Sequence, residues 1–308
     1  MMKLSMMSFF IYPAAFLYLL GGIKVVRGAE SHIVVDAKTG FVLLSKDENT
    51  PREVASLTKV ATVLAALEWV TEKGAELSIM MPVSKSAVSG GVNPLKLQLG
   101  DSLSIESALF AAMMASDNTS AYVLAEYVGS EMAPGNDGDV AVGVFVERMN
   151  RLASDLVMSS TRFVNPHGLD GATTRGKSTA ADMARLTIHA YEEPGFSRLV
   201  SEKEKEIVFF RDGNPVAIRV NNTNALVGSR GIDGVKTGTT SRAGACLITS
   251  SVGAGENDSA RLISVVLKAD DRFRESVILL SDGWQARGEW LAKGGEIGEN
   301  ESLLSAGN

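Results

Sequence analysis

The chain has 308 residues, with 30 Lys and Arg against 36 Asp and Glu, and a formal net charge of −6. This balance argues against a nucleic-acid-binding surface, and the length suffices for one large domain or two small ones with a real core. A single cysteine, Cys246, excludes an internal disulfide and a cysteine-based metal cluster, and the three histidines are far apart in the chain. We therefore expect chemistry carried by Ser, Lys and amide groups, without a metal or a cofactor.

The first 28 residues predict an export signal. An uncharged stretch runs from Leu4 to Ile23, with Lys3 before it and Lys24 and Arg27 after it. A positive start, an apolar segment and small residues near Gly28 are typical of a secretory signal peptide. An uncleaved membrane anchor is the alternative, because the apolar stretch is long enough to span a bilayer. Both interpretations place the rest of the chain across the cytoplasmic membrane, with membrane contact only through this segment.

The N-terminal half predicts one hairpin followed by helices. Apolar and β-branched residues at 32–36 and 41–45 flank a turn that ends in Gly40, which predicts a β-hairpin. From Pro51 the chain begins as a loop, and apolar residues then recur at three- and four-residue spacing up to Val70, which predicts a helix. Similar patterns predict helices over 104–115, capped by Ser104, and over 119–128, 140–157 and 179–191, with a loop at 132–139.

The C-terminal half changes to strands. Apolar and β-branched runs predict strands over 206–210, 216–220, 235–239, 245–252 and 262–267, before a closing helix over 274–290. Strands at both ends with helices between them indicate an α+β fold. Its mainly antiparallel sheet would come from both termini, be flanked by helices and carry an inserted helical subdomain. The residues from 286 to 308 are acidic and rich in Gly and Ser, so we expect a mobile tail there.

Ser56-Leu57-Thr58-Lys59 is the only S-x-x-K sequence in the chain, and it opens the first predicted long helix. Residues three apart share a helix face, so the Ser56 hydroxyl and the Lys59 amine are expected to meet. A neutral lysine can take a serine proton if burial and a second cation lower its pKa. A helix-capping serine followed by a surface lysine is the alternative for this motif taken alone.

Two further motifs offer partners for such a pair. Ser116-Asp117-Asn118 lies between two predicted helices, where Ser116 could relay a proton and Asn118 could hydrogen-bond a substrate amide; ordinary helix capping explains it equally well. Lys236-Thr237-Gly238 lies in a predicted strand, whose backbone could pair with an extended peptide if the strand is at an edge. Lys236 would be the second cation, Thr237 could bind a carboxylate, and Gly238 allows close approach of the substrate.

In this order the three motifs resemble the D-alanyl-D-alanine carboxypeptidases, which are low-molecular-mass penicillin-binding serine peptidases. The likeness runs from about His32 to Trp284 and includes FVNPHGLD at 163–170 and RLISVVL at 261–267. The resemblance implies a DD-peptidase/β-lactamase-like fold, with one penicillin-binding catalytic domain over 29–285. It also implies a peptidoglycan stem peptide ending in D-Ala-D-Ala as the substrate, β-lactams as covalent inhibitors, and a periplasmic or cell-wall location.

The resemblance also implies a role for each motif residue. Ser56 would be the acylated nucleophile, Lys59 the general base, and Ser116 the group that passes a proton to the leaving D-Ala. The substrate would be bound by Asn118, Lys236, Thr237, Gly238 and Thr239, with the N–H groups of Ser56 and Thr239 forming the oxyanion hole. His167 in the 163–170 segment is interpreted as part of a structural loop beside the site.

Three alternatives remain open at this point. Short relatives include endopeptidases that cut peptidoglycan cross-links, and the motifs do not separate them from carboxypeptidases. A class A-like β-lactamase needs a Glu in the loop that activates the deacylating water. The corresponding residues 162–170 contain no Glu, which favours a long-lived penicilloyl-enzyme. An inactive wall-binding protein is the third alternative, and the intact set of motifs argues against it.

Overall fold

The computed structural model describes residues 28–169, 171, 174–253, 260–298 and 301–304. The predicted export segment therefore lies outside the described residues, apart from Gly28. Within the described ranges, no helix is both long enough and apolar enough to cross a membrane.

The described elements follow one another as strands at the two ends and helices between them. The strands are β1 Ser31–Asp36, β2 Val42–Lys46, β3 Met80–Pro82, β4 Ser102–Ser104, β5 Glu204–Arg211, β6 Asn214–Asn221, β7 Ile232–Thr240, β8 Gly244–Val252 and β9 Arg261–Ala269. The helices are α1 Lys59–Lys73, α2 Lys85–Val88, α3 Ile105–Met114, α4 Asn118–Met132, α5 Gly138–Asp155, α6 Ala180–Ala190, α7 Phe196–Ser201 and α8 Arg272–Ala292.

The main sheet has five antiparallel strands in the order β2-β1-β9-β8-β7. Its first strands come from the N-terminal part and its last three from the C-terminal part, which confirms the predicted α+β architecture. The order also places β7 at an edge of the sheet, as the peptide-pairing hypothesis for Lys236–Gly238 requires.

A second sheet was not predicted. Strands β5 and β6 form where the sequence predicts strands, but they pair with β4 and β3 in a separate sheet of order β3-β4-β5-β6. The three-residue strands β3 and β4 are too short to show an alternating pattern, so the sequence gives no sign of this sheet.

Alternation along the central strands separates two cores. Ile33 and Ile263 face the larger core, which contains the buried sides of α1, α3, α4 and α6. Val34 and Leu262 face the opposite side, where α8 covers the sheet with Leu279 and Leu280 among others. Helix α3 is buried almost all round, as its composition predicts, and the hydroxyl of its predicted N-cap Ser104 accepts the Ser107 N–H at 3.1 Å.

The C-terminal segment differs from the expected mobile tail wherever the structure describes it. Helix α8 continues to Ala292, and the Trp290 ring stacks on Phe41 with 4.5 Å between centroids. Farther on, the Val42 N–H donates to the Glu301 carbonyl at 3.0 Å, and Ser302 pairs with Phe41 as an isolated bridge. The described part of this segment therefore packs on the β1–β2 hairpin, a contact that its Gly, Ser and acidic composition does not predict.

Candidate active site

Ser56 lies in a tight turn that leads directly into α1. Residues Ala55–Thr58 form a single 3-10 turn, and Ala55 has the unusual positive φ of 50°. Gly168 holds this turn from outside, since a Cβ at Gly168 would lie only 1.9 Å from the Ala55 carbonyl oxygen. The turn leaves Ser56 half-buried, with its Oγ 3.1 Å from the Nζ of Lys59. The two side chains therefore meet as their spacing predicts.

The Lys59 amine is fully buried and touches three oxygen atoms. Its Nζ lies 3.1 Å from Ser56 Oγ, 2.6 Å from Asn118 Oδ1 and 3.1 Å from the His167 carbonyl oxygen. The two carbonyl oxygens can only accept hydrogen bonds, so each takes an N–H of the amine. In the neutral amine these are the only two N–H groups, and the lone pair is then directed at the Ser56 hydroxyl.

Burial lowers the pKa of Lys59 to about 7, whereas the nearby charge of Asp117 acts in the opposite direction. The cause is the loss of hydration, which disfavours the ammonium form inside the protein. The interpretation of Lys59 as an ordinary surface lysine is therefore wrong. A neutral amine beside a serine hydroxyl is the arrangement that general-base activation of a nucleophile needs.

The corner between α3 and α4 orients this amine. Asp117 caps α4, with Oδ1 accepting the Ser120 N–H at 2.7 Å and Oδ2 accepting the Leu95 N–H at 3.2 Å. Asn118 is nearly fully buried, and its Nδ2 donates to the Gly90 carbonyl at 2.9 Å. The amide cannot rotate without losing that bond, so its Oδ1 stays directed at Lys59. Capping and site formation are thus divided between two adjacent residues.

Ser116 occupies the turn before this cap. It is half-buried and has a positive φ of 57° between the last turn of α3 and the Asp117 cap. The three partners of the Lys59 amine are Ser56, Asn118 and His167, so Ser116 is not one of its direct contacts in the described structure. The fold brings Ser56, Lys59 and Asn118 into contact and places Ser116 next to them along the chain.

Strand β7 carries a second buried lysine to the site. Lys236 is 1% exposed, and its Nζ donates to the Thr237 carbonyl at 3.0 Å. Burial holds the pKa of Lys236 well below its usual range, and the neighbouring charges of Lys59 and Arg272 lower this pKa further. Strand β7 packs against the Ser56 turn and so brings Lys236 to the site, and the role of Lys236 as the second cation stays a prediction.

Gly238 is the point where the strand and the turn come closest. A Cβ at this position would lie 2.9 Å from the Val54 carbonyl oxygen and 3.0 Å from the main-chain nitrogen of Ser56. Only glycine allows this contact. From the sequence we expect Gly238 to allow close approach of a substrate. The structure adds a second requirement, the close approach of β7 to the turn that carries Ser56.

The two threonines that flank Gly238 are held by residues that the sequence analysis missed. The Thr237 hydroxyl lies 2.8 Å from the hydroxyl of Thr223, and Thr239 Oγ1 accepts a hydrogen bond from Arg272 Nη1 at 2.7 Å. Arg272 also donates to the Gly238 carbonyl at 3.0 Å. Neither Thr223 nor Arg272 belongs to a motif, and both are far from their partners in the chain, so no sequence signal pointed to them.

The 163–169 loop closes the site behind the lysine. Besides the His167 carbonyl, the loop supplies the Pro166 carbonyl, which accepts the Thr62 hydroxyl at 2.6 Å. The His167 Nδ1 accepts the Leu169 N–H at 3.2 Å, and burial lowers the pKa of this ring to about 4. His167 is therefore neutral and tied to its own loop, in agreement with a structural role. Asp170, the last residue of the predicted segment, lies outside the described residues.

Comparison with known proteins agrees with this geometry. A family model described as D-alanyl-D-alanine carboxypeptidase matches residues 25–271. The D-alanyl-D-alanine carboxypeptidase DacF of Bacillus subtilis is 30% identical over 80% of this chain and 59% of its own length. The D-alanyl-D-alanine endopeptidase of Pseudomonas aeruginosa is 32% identical over 71% of this chain and 65% of its own.

A solved structure shows the same architecture. Penicillin-binding protein D2 of Listeria monocytogenes, in its ampicillin-bound form, superimposes with a TM-score of 0.69 at 25% identity, covering 83% of this chain and 97% of that one. The fold is that of the penicillin-binding DD-peptidases, which confirms the predicted fold class. The chain belongs to the D-alanyl-D-alanine carboxypeptidase family. It spans about three fifths of the length of the curated relatives it matches.

Proposed function

We propose that this chain is a serine-type D-Ala-D-Ala carboxypeptidase, which removes the terminal D-Ala from peptidoglycan stem peptides through an acyl-enzyme on Ser56. Family membership supports the reaction class. The observation that carries the proposal is the buried Lys59 amine, whose Nζ lies 3.1 Å from Ser56 Oγ and donates to two carbonyl oxygens. Asn118 acts through Lys59, since its Oδ1 fixes the orientation of the amine.

The chemistry follows from the lysine. Neutral Lys59 takes the Ser56 proton while Oγ attacks the carbonyl carbon of the penultimate D-Ala. The C–N bond then breaks, and the terminal D-Ala leaves after its amine receives a proton, which we assign to relay through Ser116. Water attacks the resulting ester, which releases the shortened peptide and restores the Ser56 hydroxyl.

The strand supplies electrostatic stabilisation in this proposal. The N–H groups of Ser56 and Thr239 would bind the oxyanion, and the contact of Gly238 with the Ser56 nitrogen supports placing them side by side. Lys236 and Thr237 would bind the substrate's terminal carboxylate. β-Lactams carry a strained amide and a carboxylate in the same relation, so they would acylate the same Ser56.

The test uses the purified full chain and its Ser56→Ala variant. Each is incubated with labelled penicillin, a muramyl pentapeptide and a cross-linked peptidoglycan dimer. We expect stable labelling and D-Ala release by the native chain, both lost in Ser56→Ala and retained when the exposed Ser197 is changed to Ala. If the native chain shows no labelling and no D-Ala release, the proposal is contradicted. Fast hydrolysis of the penicillin would indicate a β-lactamase instead.

Endopeptidase activity is the second candidate, favoured by the name of the Pseudomonas aeruginosa relative. The same incubation separates the two activities, because cleavage of the dimer without trimming of the pentapeptide would identify an endopeptidase. Either substrate lies in the periplasm or the cell wall. We accordingly propose that the predicted segment 1–28 exports the domain across the cytoplasmic membrane.

A further inference from the structure

The hydroxyl of Thr223 lies at the open rim of the site, next to the nearly buried Thr237. The two Oγ1 atoms are 2.8 Å apart, and Thr223 is exposed whereas Thr237 is 5% exposed. We infer that Thr223 is a positioning residue through which Thr237 binds the carboxylate of the ligand. The inference rests on the proposed function, in which Thr237 faces that carboxylate.

The main chain fixes Thr223 in this position. Its N–H donates to the Met114 carbonyl at 2.9 Å, two residues before Ser116. The next residue, Asn224, is buried and donates from Nδ2 to the Gly234 carbonyl in β7 at 2.7 Å. The segment 222–224 therefore joins the corner that carries Ser116 to the strand that carries Thr237. Because the segment is bonded to both of these elements, the Thr223 hydroxyl keeps its distance to Thr237 without a ligand.

The hydroxyls of Thr223 and Thr237 together carry one proton more than the hydrogen bond between them uses. Each hydroxyl carries one proton and accepts through its lone pairs, and the single hydrogen bond between them uses one of the two protons. In the structure Thr237 donates to Thr223. When a carboxylate approaches, both hydroxyls rotate, so that Thr237 donates to the carboxylate while Thr223 donates to Thr237. Hydrogen bonds in such a chain strengthen one another, and an ionised acceptor makes the terminal bond stronger still.

The surrounding groups suit an anion. The Nζ of Lys236 donates to the carbonyl of Thr237 itself, so a lysine amine lies next to the hydroxyl pair. Thr223 thus acts on the ligand through Thr237, and its contribution should depend on the negative charge of the ligand. A ligand that lacks a carboxylate would gain little from Thr223.

The test compares Thr223→Val and Thr223→Ser with the native protein. Valine keeps the β-branched shape and the N–H that binds Met114, and it removes only the hydroxyl. The readouts are the second-order rate of acylation by benzylpenicillin and by its methyl ester, and KM and kcat for D-Ala release from the pentapeptide. For Thr223→Val we expect acylation by the acid to fall about fivefold to tenfold, the loss typical of one hydrogen bond between neutral groups.

Further expectations separate positioning from a structural effect. Acylation of Thr223→Val by the methyl ester should stay within about twofold of the native rate, KM for the pentapeptide should rise with kcat little changed, and Thr223→Ser should restore both. Equal losses for the acid and the ester, or no loss for either, would overturn the inference. If the native chain releases D-Ala, that result leaves the proposed function intact. Absence of both labelling and D-Ala release in the native chain would overturn the proposed function and this inference together.

Discussion

The Ser56 turn and strand β7 each bring a fully buried lysine to the site, yet they are built in opposite ways. Lys59 is held through its own amine, by Ser56 three residues away and by two carbonyl oxygens. Lys236 donates only to the adjacent Thr237 carbonyl among the described atoms, and its strand is held in place by Gly238, Thr223 and Arg272. The contacts of the turn thus fix the orientation of the Lys59 amine, whereas the contacts of β7 fix the position of the strand edge.

This difference determines what each region contributes. A lysine whose N–H groups are both committed to carbonyls is restricted to one orientation, which suits proton transfer to a single neighbour. A buried lysine on a strand edge is not directed at one neighbour, which suits the binding of a ligand's terminal carboxylate that we propose for Lys236. Changes in the turn should therefore act on the chemical step, and changes in the strand on binding and alignment.

Lys59→Met should have the largest effect. The substitution keeps an unbranched buried side chain of similar length and removes the base, so we expect acylation by penicillin to fall about a thousandfold, within the range that general-base catalysis contributes. Stopped-flow or quenched acylation measures the rate, and thermal unfolding checks that the variant is folded. A folded variant that retains a rate within tenfold of the native one would show that Lys59 is not the base.

Gly238→Ala should have the next largest effect, since it separates the two regions. The added Cβ would lie within 3.0 Å of the Val54 carbonyl oxygen and the Ser56 nitrogen, so β7 must move away from the turn. We expect acylation to fall about tenfold to a hundredfold, as a displacement of about 1 Å can cause. Gly143→Ala is the matched control: Gly143 lies in α5 with no atom near its Cβ position. An unchanged rate in Gly238→Ala would refute the close contact.

Arg272→Gln should have a smaller effect. It removes the charged donor to the Gly238 carbonyl and to Thr239 Oγ1, which loosens the far side of the strand without touching the turn. We expect a roughly fivefold lower rate of acylation, in line with the loss of charge-assisted hydrogen bonds at a partly exposed group. The same change at the exposed Arg274 on α8 should leave the rate unaltered, and equal effects of the two changes would contradict a specific role of Arg272.

The sequence could predict the turn better than the strand, and the reason is physical. Helical spacing alone brings Ser56 to Lys59, and a capping pattern identifies the corner that holds Asn118. The contacts of Thr237 and Thr239 join residues 14 and 33 positions apart, so no local pattern records them. The contact of Asn118 with Lys59 was missed for the same reason, since the two residues are 59 positions apart, and the predicted substrate-binding role of Asn118 stays a prediction.

The fold likewise divides into elements with a clear local sequence pattern, which were predicted, and elements without one, which were not. The antiparallel sheet from both termini was predicted, without its number of strands, because long strands and helices carry clear periodicity. The small sheet was missed because β3 and β4 have three residues each. The contacts of the C-terminal segment were missed because a few apolar side chains, such as Trp290 on Phe41, decide whether a polar segment packs, and its mobility stays a prediction.

The pH dependence of penicillin acylation tests the central claim most directly, because the claim is that neutral Lys59 activates Ser56. With the pKa of Lys59 lowered by burial to about 7, the base is protonated and inactive below that pH and neutral above it. The second-order rate of acylation by penicillin should therefore rise about tenfold per pH unit below about 7 and level off above it. His167 does not titrate in this window, since burial lowers its pKa to about 4. A rate that stays constant from about pH 5.5 to 8.5, or that rises only toward the usual pKa of an exposed lysine, would contradict the assignment of Lys59 as the base.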